Sequence, residues 1–195
     1  MKAWSRRLAA TACLLLSVIP GTSALAVDFG PTPEMVKTAI EAGTKAANDP
    51  ESLFAGYEFG ERGVGINGYV LTKFLEIAQH AAVKAKEGAP IDKAFIDAVL
   101  KKTYLTVSVY LVGPGPDHFK GVEIYLHQGL NPILPLEILR DPPQKICCDV
   151  APNLYKQDLY TGFPEKKLDP KAMTAVVVKV MGREMRFPAN FAQIR

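Results

Sequence analysis

The chain has 195 residues with 23 Lys+Arg against 20 Asp+Glu, a formal net charge of +3. Three of the basic residues, Lys2, Arg6 and Arg7, lie in the first 26 positions, which hold no acid; without that stretch 20 basic residues face 20 acidic ones across 169 residues. A neutral chain with scattered charges lacks the cation cluster that counterion release from phosphates needs, so nucleic acid is excluded as a partner.

Lys2, Arg6 and Arg7 precede an apolar run from Leu8 to Ile19, followed by Pro20 and the small residues Ala24-Leu25-Ala26. A basic start, a short apolar centre and an A-x-A end form a secretory leader expected to be cut after Ala26. The run is well short of the roughly 20 apolar residues that span a membrane, and no membrane span is expected after cleavage. Ser5-Arg6-Arg7 carries twin arginines. Ala9 and Ala10, however, stand where that signal usually has an aromatic residue and a leucine, so the ordinary secretory route is expected. The expected location is secreted or periplasmic.

The remaining chain divides near Thr103 into a helical region (27–103) and an antiparallel β region (104–195), which together can make one compact domain. Thr32-Pro33 predicts an N-cap and first-turn proline for a helix that ends before Asn48-Asp49-Pro50. A second helix is expected from about Asn67 to Lys86, where Val70, Phe74, Ile77 and Ala81 form one row and Leu71, Leu75, Ala78 and Ala82 the next. Gly88-Ala89-Pro90 stops it. Ile91, Ala94, Phe95, Ala98 and Val99 then set out a third helix with Lys101-Lys102 at its negative end.

At Tyr104 the period changes to two. Leu105, Val107, Val109 and Leu111 point one way, and Tyr104, Thr106, Ser108 and Tyr110 the other, giving the clearest strand in the chain. Gly113 to Asp117 predicts a turn into a second strand with Val122, Ile124 and Leu126 inward, a hairpin flanked by His118 and His127. A third strand runs from Ile133 to Leu139, where Pro135 places it at an edge or interrupts it. Short strands are expected at Ile146 to Val150 and Leu154 to Tyr160. Ala175 to Phe187 reads as two strands around Gly182-Arg183 in a type II′ turn, and Phe191 to Ile194 as an end strand. Five to seven such strands imply an α+β fold, with about three N-terminal helices packed on a C-terminal antiparallel β-sandwich or partial barrel.

Gly63, Gly65 and Gly68 spell the dinucleotide pattern G-x-G-x-x-G. That loop needs a strand feeding its first glycine and an acid about 20 residues on at the end of a second strand. The glycine-punctuated Ala55 to Arg62 is too short for the strand, and Glu87 falls in a helix tail. The expectation is a glycine-rich connection that lets the second helix pack closely, with no cofactor; a small anion held beside Arg62 is the residual functional reading.

Cys147-Cys148 are the only cysteines after the leader. Adjacent α-carbons lie about 3.8 Å apart, below the usual disulfide range of about 4.4–6.8 Å, so a bond between them would be strained and readily reduced. A redox pair and an inert pair both remain open. His80, His118 and His127 have no metal-ligand spacing. His118 and His127 could meet Glu123 or Cys148 only if the sheet register allows. The exposed ladder of Tyr104, Thr106, Ser108 and Tyr110 can bind a glycan or a partner, or pack under the helices. The expected function is an exported, non-enzymatic accessory or binding module contacting an envelope protein or small ligand. The alternative is an enzyme or thiol-redox protein centred on Cys147-Cys148 or on His118 and His127.

Overall fold

A computed structural model describes residues 27–61, 65–146, 153–191 and 194. Along the chain these form α1 (Pro33–Lys45), β1 (Glu58–Gly60), β2 (Ile66–Leu71), α2 (Lys73–Lys86), α3 (Lys93–Lys101) and β3 (Tyr104–Gly113). There follow β4 (Glu123–Gln128), β5 (Asn131–Ile133), β6 (Glu137–Arg140), β7 (Gln144–Lys145), β8 (Tyr155–Pro164), β9 (Met173–Val180) and β10 (Arg183–Asn190). The fold is α+β, with helices towards the N-terminus and antiparallel strands in two sheets.

Each helix starts on a side-chain cap that satisfies one of its unpaired N–H groups. Thr32 Oγ1 accepts from Met35 N at 3.3 Å, Thr72 Oγ1 from Leu75 N at 3.3 Å, and Asp92 Oδ1 from Ala94 N at 2.8 Å. Ala39, Ile77, Ala78 and Val99 form the centre of the helical core. Leu53, in a 3-10 turn at Pro50–Phe54, touches both this core and that of the sheets.

The second helix begins at Lys73, six residues later than the apolar periodicity predicts, because Ile66–Leu71 is a strand. Val70 and Leu71 continue the helical rows of α2, yet in β2 they face opposite sides, Val70 buried and Leu71 half-buried. A short apolar run fits either period. Thr72, whose hydroxyl caps α2, marks the true boundary. The first half of the chain therefore supplies β1 and β2 to the larger sheet as well as the helices.

The larger sheet has the order β1-β2-β3-β8-β6, with β7 also on β8; the smaller is β10-β9-β4-β5, and every pairing is antiparallel. Leu105, Val107, Val109, Leu111, Leu159 and Phe163 of the larger sheet meet Ile124, Leu126, Val176, Val178 and Val180 of the smaller in one core. A one-residue slip of β3 would turn its four apolar residues outward. At roughly 1.5–3 kcal/mol each, that loss is comparable with the whole stability of a domain, so the alternation itself sets the register.

β3 and β4 are not a hairpin: β3 is central in the larger sheet and β4 in the smaller, so the Gly113 to Asp117 segment carries the chain across the sandwich. Pro135 does the same in reverse, splitting the expected third strand into β5 and β6, edge strands of different sheets. The last hairpin turns at Met181-Gly182, since Val180 pairs with Arg183. Both turn residues have positive φ, 51° and 76°, a type I′ geometry that replaces the expected type II′ turn. Phe191 and Ile194, the two ends of the expected end strand, are buried but belong to no strand; the residues between them, and most of the strand expected at Ile146 to Val150, lie outside the described residues.

Candidate ligand groove

The alternation that buries one face of β3 leaves Thr106, Ser108 and Tyr110 on the other, and the register sets their neighbours. Asn67, Tyr110 and Asp158 form one row across β2, β3 and β8; Tyr69, Ser108 and Tyr160 form the next, and Leu71, Thr106 and Gly162 the third. With strands about 4.8 Å apart, Tyr69 and Tyr160 stand about 10 Å apart over the small Ser108 floor. A large–small–large row of this kind makes a trough.

The 3-10 turn brings Phe54 against Tyr69, ring centroids 4.3 Å apart, and α2 brings Gln79 over the other wall. The resulting cavity is about 560 Å³, lined by Phe54, Asn67, Tyr69, Leu71, Gln79, Ser108, Tyr110, Asp158 and Tyr160. That is within the range of small-molecule sites. A second hollow of about 490 Å³ shares Leu71, Gln79 and Tyr160 and continues under α2 to His80, Phe95 and Lys102. His80 stacks on Phe95 at 3.9 Å, and its buried Nε2 has no hydrogen-bond partner among the described residues.

Asp158 is the one charged residue lining the 560 Å³ hollow. Burial pushes its carboxyl above the usual carboxylate range; Lys156 pulls it down and Asp141 pushes it up. Its side chain makes no ion pair or hydrogen bond with any described residue. Burial, with the Asp158 charge second, also raises the Tyr110 and Tyr160 phenols, and Asp141 adds to the effect on Tyr160. All three shifts favour the protonated form, so both tyrosines stay neutral hydrogen-bond donors at physiological pH.

The candidate residues read from the sequence scatter. Tyr110 lines the groove, while Tyr104, at the far end of the same strand face, lies against Gly162 and under the Lys102 ammonium, 5.7 Å from its ring centroid. The His118 ring fills the space a Cβ on Gly113 would take and borders a separate hollow of about 720 Å³, lined by Ile66, Val112, Met185 and Phe187 with the charged Glu61 and Arg183. His127 sits on the outer face of the smaller sheet, its Nδ1 3.1 Å from Gly129 O. Arg62, Cys147 and Cys148 lie outside the described residues. Among the described residues no three His, Cys, Asp or Glu side chains converge as metal ligands, and no helix is long and apolar enough to cross a membrane.

Phe54, Asn67, Tyr69, Gln79, Asp158 and Tyr160 were not distinguished in the sequence. Tyr69 was hidden inside the predicted helix. Asp158 and Tyr160 had a legible signal, the two-residue spacing that puts both on one face of β8.

The third glycine of the G-x-G-x-x-G pattern has a structural role. Gly68 sits in β2 opposite Phe59 and Val109, and a Cβ there would fall 2.0 Å from Ser108 O and 2.6 Å from Phe59 Cζ. The glycine makes room for the Phe59 ring to cross the strand, a close approach within the sheet and not the expected one against the second helix.

No protein-family model matches the chain, and no curated protein does. Among solved structures, the chain is similar to a protein of unknown function from Burkholderia pseudomallei, with a TM-score of 0.44 and 13% identity over 79% of this chain and 91% of that one.

Proposed function

We propose that the protein is an exported, non-enzymatic binding module of a cell envelope, and that a small ligand seats in the groove between α2 and the outer face of the larger sheet. One observation carries the reading: the in-register Tyr69–Ser108–Tyr160 row, roofed by Phe54 and Gln79, leaves a hollow of about 560 Å³ on a rigid sheet. Its wall is made of rings, one leucine, amides, a hydroxyl and one carboxylate, groups that orient a ligand by stacking and hydrogen bonding. Export rests on the leader at residues 1–26.

An NMR screen of the mature chain against mixed metabolites and oligosaccharides tests the groove. A binder should shift the Tyr69, Tyr110 and Tyr160 ring signals, and Ser108→Leu, which fills the floor, should abolish the shifts while thermal unfolding remains cooperative. Binders that leave these rings unmoved, or that bind Ser108→Leu as well as wild type, refute the site. Intact mass of protein from a periplasmic fraction should begin at Val27; full-length chain confined to the cytosol refutes export.

A further inference from the structure

We infer that the groove selects a compact organic cation, an ammonium group carried on a small molecule; this rests on the groove being a ligand site. The chemistry of the wall argues for that class. Asp158 is the one charge among the nine residues lining the hollow, it is partly buried, and no described cation reaches it within ion-pair distance. The charged groups around it are Lys156, two residues along the same strand, and Asp141, whose backbone N–H bonds to Asp158 O at 3.0 Å and whose carboxylate adds negative potential. A half-buried carboxylate with a second one nearby favours a positively charged occupant over a neutral one.

The tyrosines point to an organic cation. Tyr69, Tyr110 and Tyr160 line the same hollow as the carboxylate, and aromatic faces attract weakly hydrated ammonium groups. A hard metal ion needs six or more oxygens, whereas the hollow offers one carboxylate with amide, hydroxyl and phenol groups spread over a wide wall. The neutral side chains of Ser108 and Gln79 then face the rest of the molecule, while Asn67 Nδ2 already donates to Glu61 O at 3.3 Å.

The test is an NMR titration of the mature chain with choline chloride, against its uncharged isostere 3,3-dimethylbutan-1-ol and against glucose, at matched ionic strength. Choline should shift the three tyrosine rings saturably, and the isostere should bind about tenfold more weakly. Asp158→Asn, which keeps shape and polarity, should lose about tenfold in choline affinity while still unfolding cooperatively and at no lower midpoint, and Tyr160→Ala should also weaken binding. Equal binding of choline and isostere, stronger binding of glucose, or undiminished choline binding by Asp158→Asn overturns the cation inference while leaving a ligand groove in place. Choline that shifts only signals outside the groove, or none at millimolar concentration, overturns it too. The broad screen and the Ser108→Leu variant then decide separately whether the groove binds anything.

Discussion

Gly68→Ala is the sharpest test of how the glycine motif functions in this fold. The added Cβ would lie 2.0 Å from Ser108 O and 2.6 Å from Phe59 Cζ, far inside the roughly 3.5–4.0 Å at which carbon atoms settle. The Phe59 ring can tilt, but Ser108 O belongs to the central strand, so β2 and β3 must part locally. Overpacking of this sort costs about 1–3 kcal/mol, and a backbone neighbour puts it at the upper end. Restricting the unfolded chain returns about 0.4–1 kcal/mol, which leaves a net loss of about 2–3 kcal/mol. At about 2–4 °C per kcal/mol, the midpoint should fall by about 4–12 °C. The one tryptophan of the chain, Trp4, lies within the first 26 residues, outside the described residues, so far-UV circular dichroism in urea is the suitable readout. Combining the change with Phe59→Leu should relieve the ring contact and not the carbonyl contact, giving a favourable coupling of about 1 kcal/mol in a double-mutant cycle. A Gly68→Ala protein within about 0.5 kcal/mol of wild type would show that the strand does not need the missing side chain, and the steric argument would fall.

Met181 occupies a left-handed position at φ 51° and is exposed, so Met181→Asn should raise the midpoint by about 2–4 °C; an unchanged or lower midpoint contradicts the strain. Lys73 is buried, with Nζ 2.5 Å from Phe29 O and 3.0 Å from Glu165 Oε1, so Lys73→Met should cost about 3 kcal/mol in urea unfolding. Adding Glu165→Leu should recover part of that loss, because no charge is then stranded. For Asp158 the folded-state carboxyl titrates above its unfolded value near 3.8, so the folded state holds more protons than the unfolded one just above that pH. Stability attributable to this group falls as pH rises through the window, and Asp158→Asn should be more stable than wild type at neutral pH, with the difference vanishing in acid. The opposite slope in parallel pH–stability curves would mean that Asp158 has a cation partner in the free protein.

Local chemistry was legible wherever a single residue type decides a backbone state. The cap at Thr32 and the two-residue alternation of β3 need no knowledge of distant chain, because each follows from hydrogen bonding or side-chain direction over a few residues. Ile66–Leu71 was not legible in the same way. Its apolar spacing joins smoothly onto α2, and what makes it a strand is hydrogen bonding to β3 on one side and to β1 on the other.

The sequence by itself determined that three helices form, the alternation of β3 and the balance of charge beyond residue 26, since these depend on composition and on neighbours a few positions apart. Tertiary structure alone decided that β3 and β4 separate into different sheets, that Gly68 yields space to Phe59, and that Tyr69, Ser108, Asp158 and Tyr160 share one wall. Those outcomes depend on which strands pair and in what register, and a pairing between strands, whether of Phe59 with Gly68 or of Tyr69 with Ser108 and Tyr160, leaves no local pattern that encodes it.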